Sequence, residues 1–252
     1  MSSLLKVEGL SKAFGRVVTA DGLNFEIHAG QITSIIGPNG AGKSTLINIL
    51  SGTLAADAGR VFLEGRDITR LPTHRRVRLG LCRSFQVVNV FPDLTVFENI
   101  QIPVLGIVRK AHHVFRSLRR ERGVTERVME VLGQLKLVGR AHDLASELSH
   151  GDQRLLEIGI ALAVKPKLLF LDEPTAGMNP VERVETLETI RRLSATGRTT
   201  FVIVEHDMDI VFSLSDRVMV LHRGEIICDG TAEEVKNDKQ TRECYLGEEV
   251  IE

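Results

Sequence analysis

Nine consecutive residues, Gly37, Pro38, Asn39, Gly40, Ala41, Gly42, Lys43, Ser44 and Thr45, carry the densest chemical signal in the sequence. Glycines at 37, 40 and 42 let the backbone take positive φ and bring its N–H groups close to phosphate oxygens. Lys43 supplies a charge for the β- and γ-phosphates of a nucleotide, and the Ser44 hydroxyl is a ligand for Mg²⁺. The GxxxxGK[ST] pattern is complete and sits in its required context. An apolar run over 31–36 leads into it, and Leu46, Ile49 and Leu50 follow at helical spacing. A strand therefore delivers the loop, and the N-terminus of a helix faces the phosphate.

The second signal is the run Lys167-Leu-Leu-Phe-Leu-Asp-Glu173, a buried-type strand ending in two carboxylates. Strand ends of an open α/β sheet are where such folds present their ligands. Neighbouring residues on a strand face opposite ways, so Asp172 can serve the metal while Glu173 acts as general base toward an attacking water. Seen alone, the pair reads equally well as an acidic turn after a core strand. The phosphate loop favours the catalytic reading.

Positioning these groups requires a sheet, and short Val/Ile/Leu-rich segments alternate with helical patterns throughout the chain. That order predicts an α/β fold with a largely parallel sheet, with strands over 31–36, 61–63, 81–85, 168–171, 199–204 and 218–221. From about 95 to 147 the strand signals fade into helices, including a basic stretch over 109–127, which reads as an inserted helical subdomain with a solvated face. The 252 residues are 43% hydrophobic and 26% charged, enough for one substantial core. With 32 basic against 33 acidic residues, no global field argues for nucleic acid. Cys82, Cys228 and Cys244 are odd in number and far apart, which argues against a disulfide framework or a zinc site and fits a reducing cytoplasm. No apolar run approaches the roughly 20 residues of a spanning helix; work at a membrane would need other chains to hold this one there.

Taken together, 37–45, Leu148-Ser-His-Gly-Asp-Gln153 and 168–173 resemble, in order and spacing, the Walker A, signature and Walker B motifs of ABC ATPases. The resemblance covers nearly the whole chain. Gln86 is similar to the Q-loop glutamine, His206 to the switch histidine, 175–180 to the D-loop, and Phe14 to the aromatic that stacks on adenine. The resemblance implies a RecA-like P-loop NTPase core over 1–94 and 148–252, with an N-terminal antiparallel β part and a helical subdomain over 95–147, in one ATPase domain. It implies ATP and Mg²⁺ as cofactors. Ser44, Gln86 and Asp172 would serve the metal, Gln86 and His206 the γ-phosphate, and Ser149 and Gly151 the γ-phosphate of a second subunit. His150 and Asp152 depart from the common LSGGQ pattern. Asp152 brings a negative charge near an anion unless it caps the helix.

The stretches 91–99, 148–151 and 173–180 most resemble branched-chain amino acid importers, as does the short tail. Such systems imply a peripheral subunit on the cytoplasmic face of the inner membrane. Its partners would be a second ABC ATPase, with a heterodimer favoured over a homodimer, two transmembrane permeases, and indirectly an external solute-binding protein. An exporter ATPase shares every catalytic motif and stays open on this reading. A soluble ABC nucleic-acid clamp would carry a second cassette, a zinc insertion or coiled-coil arms, and none is present. A small GTPase would share the phosphate loop alone and leave the signature unexplained.

Overall fold

A computed structural model describes residues 3–84, 90–107 and 122–246. The catalytic strands lie in a six-stranded sheet of order β10-β9-β3-β8-β7-β6. Strands β3 (Ile32–Ile36), β6 (Leu81–Arg83), β7 (Leu168–Asp172), β8 (Thr200–Val204) and β9 (Arg217–His222) run parallel. The edge strand β10 (Glu225–Gly230) pairs antiparallel with β9. Every residue of β3, β7 and β8 is buried, as expected of parallel strands covered on both faces. The strands expected over 31–36, 81–85, 168–171, 199–204 and 218–221 are present here within a residue or two, residue 85 lying outside the described residues, whereas the strand expected over 61–63 starts at Ala58 and belongs to a second, antiparallel sheet.

A second sheet, antiparallel and of order β2-β1-β4-β5, flanks the first. It comprises β1 (Ser3–Phe14), β2 (Val17–His28), β4 (Ala58–Leu63) and β5 (Arg66–Asp67). The long β1–β2 hairpin is hard to read strand by strand because its register shifts repeatedly, for instance between Val7 and Leu10 and between Lys12 and Ala13. Each irregularity moves the following side chains to the other face, which erases a clean alternation.

The alternating side chains of the parallel sheet feed two large cores and a smaller cluster of Ile36, Val211, Val218, Val220 and Val235. Leu168 and Phe170 of β7 and Val202 and Val204 of β8 point into a cluster with Ile47 and Leu50 of α1 (Lys43–Ser51) and Leu5, Ile27 and Val61 of the antiparallel sheet. Helix α1 is thus clasped between the two sheets. Leu169, Leu171, Phe201 and Ile203 face the opposite way, onto α3 (Val96–Ile107), α4 (Arg122–Leu135), α5 (His150–Ala163) and α6 (Pro180–Ala195). The helices around 95–147 therefore share a continuous apolar core with the sheet, and α5 joins their layer. Most of the basic stretch over 109–127 lies outside the described residues.

One buried arginine fixes the far end of α1. Arg76, in α2 (Thr73–Leu79), is 2% exposed and donates to the carbonyls of Ile49, Leu50, Leu71 and Thr69 at 2.7–2.9 Å. A cation at a helix C-terminus satisfies orphan carbonyls and complements the dipole. Burial pulls its pKa down to about 10, still far above neutrality, so the clamp stays charged. The helix that begins at Lys43 is thereby anchored before its N-terminus meets any ligand.

Candidate active site

The loop between β3 and α1 turns on glycines for two separate physical reasons. Gly40 and Gly42 have φ of 82° and 105°, where an L side chain is strained. At Gly37 and Gly42 there is also no room, because a Cβ would collide with the carbonyl oxygens of Leu221 and Thr19 respectively. Helix α1 then starts at Lys43 with no side chain capping its N-terminus, which leaves its first N–H groups to an outside acceptor. These observations fit a phosphate group.

Lys43 reaches back across the loop, its Nζ donating to the carbonyls of Gly37 at 2.6 Å and Pro38 at 3.0 Å. Burial lowers its pKa, opposed by the nearby carboxylates of Glu173 and Asp172. An ammonium held against its desolvation cost in this way gains from an arriving anion. Loop and carboxylates share one open cavity of about 400 Å³, lined by Val17 and Thr19 of β2, residues 39–45, Asp172, Glu173 and Val204.

Asp172 closes β7 and is 2% exposed. Its Oδ2 accepts from Arg83 Nη2 at 2.8 Å, and Arg83 Nη1 donates to Asn48 Oδ1 on α1 at 2.5 Å. Among the described residues no three His, Cys, Asp or Glu side chains gather to hold a metal. A Mg²⁺ here would draw its remaining ligands from phosphates and water, its usual habit beside a nucleotide.

Glu173 breaks from the strand with φ of 46°, an unusual conformation for a residue with a Cβ. Its N–H donates to the carbonyl of Val204 at 2.9 Å. Its Oε1 stands 3.5 Å from Nδ1 of His206, an exposed residue at the end of β8. The residues on either side of His206 tie it to the loop after β7 and to α6. Buried Glu205 accepts from Thr175 Oγ1 at 2.9 Å, and Asp207 accepts from Arg183 at 2.9 Å. Burial raises the pKa of Glu205, against the Thr175 hydrogen bond and the neighbouring His206.

Of the other candidate residues, Phe14, Ser149 and Gly151 do not line this cavity. Phe14 pairs with Val17 across the β1–β2 hairpin and leaves half its surface exposed, with Lys12 Nζ 5.4 Å from the ring centroid. Ser149 and Gly151 are not among the lining residues. Ser149 caps α5, its Oγ accepting from Asp152 N at 3.2 Å, and Gly151 N donates to Glu182 Oε1 at 3.4 Å. Asp152 sits in the first turn of α5, where a carboxylate suits the helix dipole, and burial raises its pKa. The ring of His150 rests close to where a Cβ on Gly177 would be. Gln86 lies outside the described residues.

The residues that reading the sequence misses are those acting over distance. Arg83 and Arg154 reach the Asp172–Glu173 pair from β6 and α5, and Thr19 shapes the loop through its carbonyl. No local pattern announces them. The one available signal is a charged residue in a largely apolar run, as with Arg83 in Leu81-Cys-Arg-Ser-Phe85.

Fold and loop together define a nucleotide-binding α/β ATPase of the P-loop type. Residues 20–176 match the family model described as ABC transporter. Over 254 residues the chain is 36% identical to the high-affinity branched-chain amino acid transport ATP-binding protein LivG of Escherichia coli K12, covering 97% of this chain and 98% of that protein. Among solved structures, the ADP conformation of MJ1267, an ATP-binding cassette of an ABC transporter, is 34% identical, with a TM-score of 0.86 over 98% of this chain and 100% of that one. The dimeric ATP-binding cassette MJ0796 bound to ADP and Pi is 25% identical, with a TM-score of 0.75 over 90% of this chain and 98% of that one. The chain belongs to the ABC transporter ATP-binding family, and is most like its branched-chain amino acid importer ATPases.

Proposed function

We propose that this chain hydrolyses ATP to drive uptake of branched-chain amino acids or related small solutes. It would do so as a peripheral subunit on the cytoplasmic face of the inner membrane. The observation that carries the reading is the single cavity that gathers the phosphate loop, Lys43, Asp172 and Glu173, with His206 at 3.5 Å from Glu173. The name of the LivG relative supports the substrate class. Among the described residues no helix is long and apolar enough to cross a membrane, so anchoring falls to other chains.

Residues 37–45 and the N-terminus of α1 bind the phosphates through backbone N–H groups, and Lys43 exchanges its carbonyl partners for phosphate oxygens. Ser44, Asp172 and Gln86 would hold Mg²⁺, which when bound neutralises phosphate charge. Glu173 orients the attacking water and takes its proton, and His206 steadies the γ-phosphate. Phe14 stacks on the adenine at the outer edge of the cavity. Ser149 and Gly151 serve the nucleotide of a second ABC subunit, a role supported by their place outside this chain's own cavity and by the dimeric MJ0796 relative.

The permease side is supported by an apolar cleft beside β6, lined by Val77, Cys82, Pro103, Ile160, Ala161 and Val164. The test is purification of the full chain from its native membranes in mild detergent, followed by reconstitution. Two permeases and a related ATPase should come with it, and leucine, isoleucine or valine plus an external binding protein should stimulate hydrolysis. Permeases without that stimulation would discard the substrate and keep the transport ATPase. Recovery with ribosomes or DNA and no polytopic partner would overturn the transport reading.

A further inference from the structure

Arg154 is an arginine with almost no access to water, at 3% exposure, in the second turn of α5. Its Nη1 meets Glu157 Oε2 at 2.5 Å, and both side chains are 4% exposed. Its Nη2 donates to the carbonyl oxygens of Asp172 at 2.5 Å and of Glu173 at 3.1 Å. The guanidinium therefore grips two successive peptide groups at the point where β7 ends and the chain turns.

That turn needs holding. Glu173 has φ of 46°, a conformation that is unfavourable for a side-chain-bearing residue, and Pro174 after it disfavours the ordinary helical alternative. A strained residue persists where its surroundings over-determine it. Four bonds do so here: Glu173 N–H to Val204 O, Ala176 N–H to Glu173 O at 3.1 Å, and the two from Arg154 to the carbonyls. Since a side chain is aimed by its own backbone, the same bonds set where the Glu173 carboxylate points.

We infer that Arg154, paired with Glu157, is a positioning residue for hydrolysis that fixes the backbone of Asp172 and Glu173 and so aims the Glu173 carboxylate at the water. The inference rests on Glu173 being the general base. None of these bonds involves the phosphate loop, Lys43 or α1, and the Asp172 carboxylate keeps its own partner in Arg83, so loss of Arg154 acts on turnover more than on nucleotide capture.

The test compares steady-state ATP hydrolysis by the full chain, at concentrations that support dimers, in three variants. Glu173→Gln probes the base itself. Arg154→Met/Glu157→Leu removes the buried pair together, so that no lone charge is left in the core. Arg154→Lys keeps the charge but lacks the fork that spans two carbonyls and a carboxylate. The expected result is a kcat lower by about 10- to 100-fold in the double variant, with KM for ATP within about twofold, and an intermediate kcat for Arg154→Lys. If the double variant does not fold, as judged by thermal melting, Arg154→Lys decides alone: a lowered kcat at constant KM supports the assignment and an unchanged kcat removes it. A kcat near that of the parent in the double variant, or a loss carried by KM, overturns the positioning role. Full hydrolysis by Glu173→Gln would instead show that the base is another group, a separate failure.

Discussion

At the scale of single residues, Lys43 and Glu173 share one cavity but belong to different steps, and their variants should part accordingly. Lys43→Ala removes a charge-assisted interaction with the phosphates, so ATP affinity should fall by about 10- to 150-fold, the equivalent of about 1.5–3 kcal/mol. Equilibrium titration with a fluorescent nucleotide reads this directly, and an unaltered affinity would take Lys43 out of the site. Glu173→Gln keeps size and hydrogen bonding but cannot accept the proton. Turnover should drop by about 10²- to 10⁴-fold while binding persists. Glu205 offers a different readout. Burial raises its pKa above the ordinary value of 4.5, so the folded state binds its proton more tightly than the unfolded chain does. Its stability contribution is whole below 4.5 and is lost as pH rises through the folded pKa. Glu205→Gln can still accept from Thr175 without ionising. It should melt higher than the parent at neutral pH, with the advantage shrinking as pH falls toward 4.5. A constant difference across that window would sink the assignment.

At the scale of elements, what the sequence made legible were features written in consecutive residues. The apolar run 31–36, the nine-residue loop and Leu46, Ile49 and Leu50 announce a strand, a turn and a helix whose order alone fixes their geometry. The hairpin β1–β2 is less legible strand by strand because its bulges break the two-residue period. Contacts such as Arg83 with Asp172, or Arg154 with the Glu173 carbonyl, join elements many residues apart and leave no periodic trace. Arg76 belongs to that second group. Nothing in Thr73-His-Arg-Arg76 marks one of its basic residues as buried, yet Arg76 packs against four carbonyls, two of them in the last turn of α1. Arg76→Met should leave those carbonyls without donors and cost about 3 kcal/mol. For a chain of this size that is a fall in Tm of about 6–12 °C. A fall under about 2 °C would mean that water replaces the guanidinium.

At the scale of the whole molecule, the nucleotide cavity lies where the two sheets and α1 meet, so a ligand there adds a tie between parts already joined by their cores and by bonds such as Arg217 Nη1 to the Glu26 carbonyl at 2.7 Å. Val17 and Thr19 come from the antiparallel sheet, residues 39–45 from the loop, and Asp172, Glu173 and Val204 from the parallel sheet. A nucleotide spanning them binds the folded chain and not the unfolded one. At a hundredfold excess over its dissociation constant it should stabilise the fold by about 2.7 kcal/mol, which is about 5–10 °C in Tm. The prediction is sharpened by Gly42→Val. At φ of 105° and against the Thr19 carbonyl, a branched side chain cannot be placed without moving the hairpin or the loop. The variant should melt lower than the parent and gain nothing from ATP, in a melting series with and without Mg²⁺. A variant that melts lower but still gains the full shift would show that the phosphate loop is not what holds the nucleotide. The anchoring of this cavity across both sheets would then have to come from Phe14 and the adenine end alone.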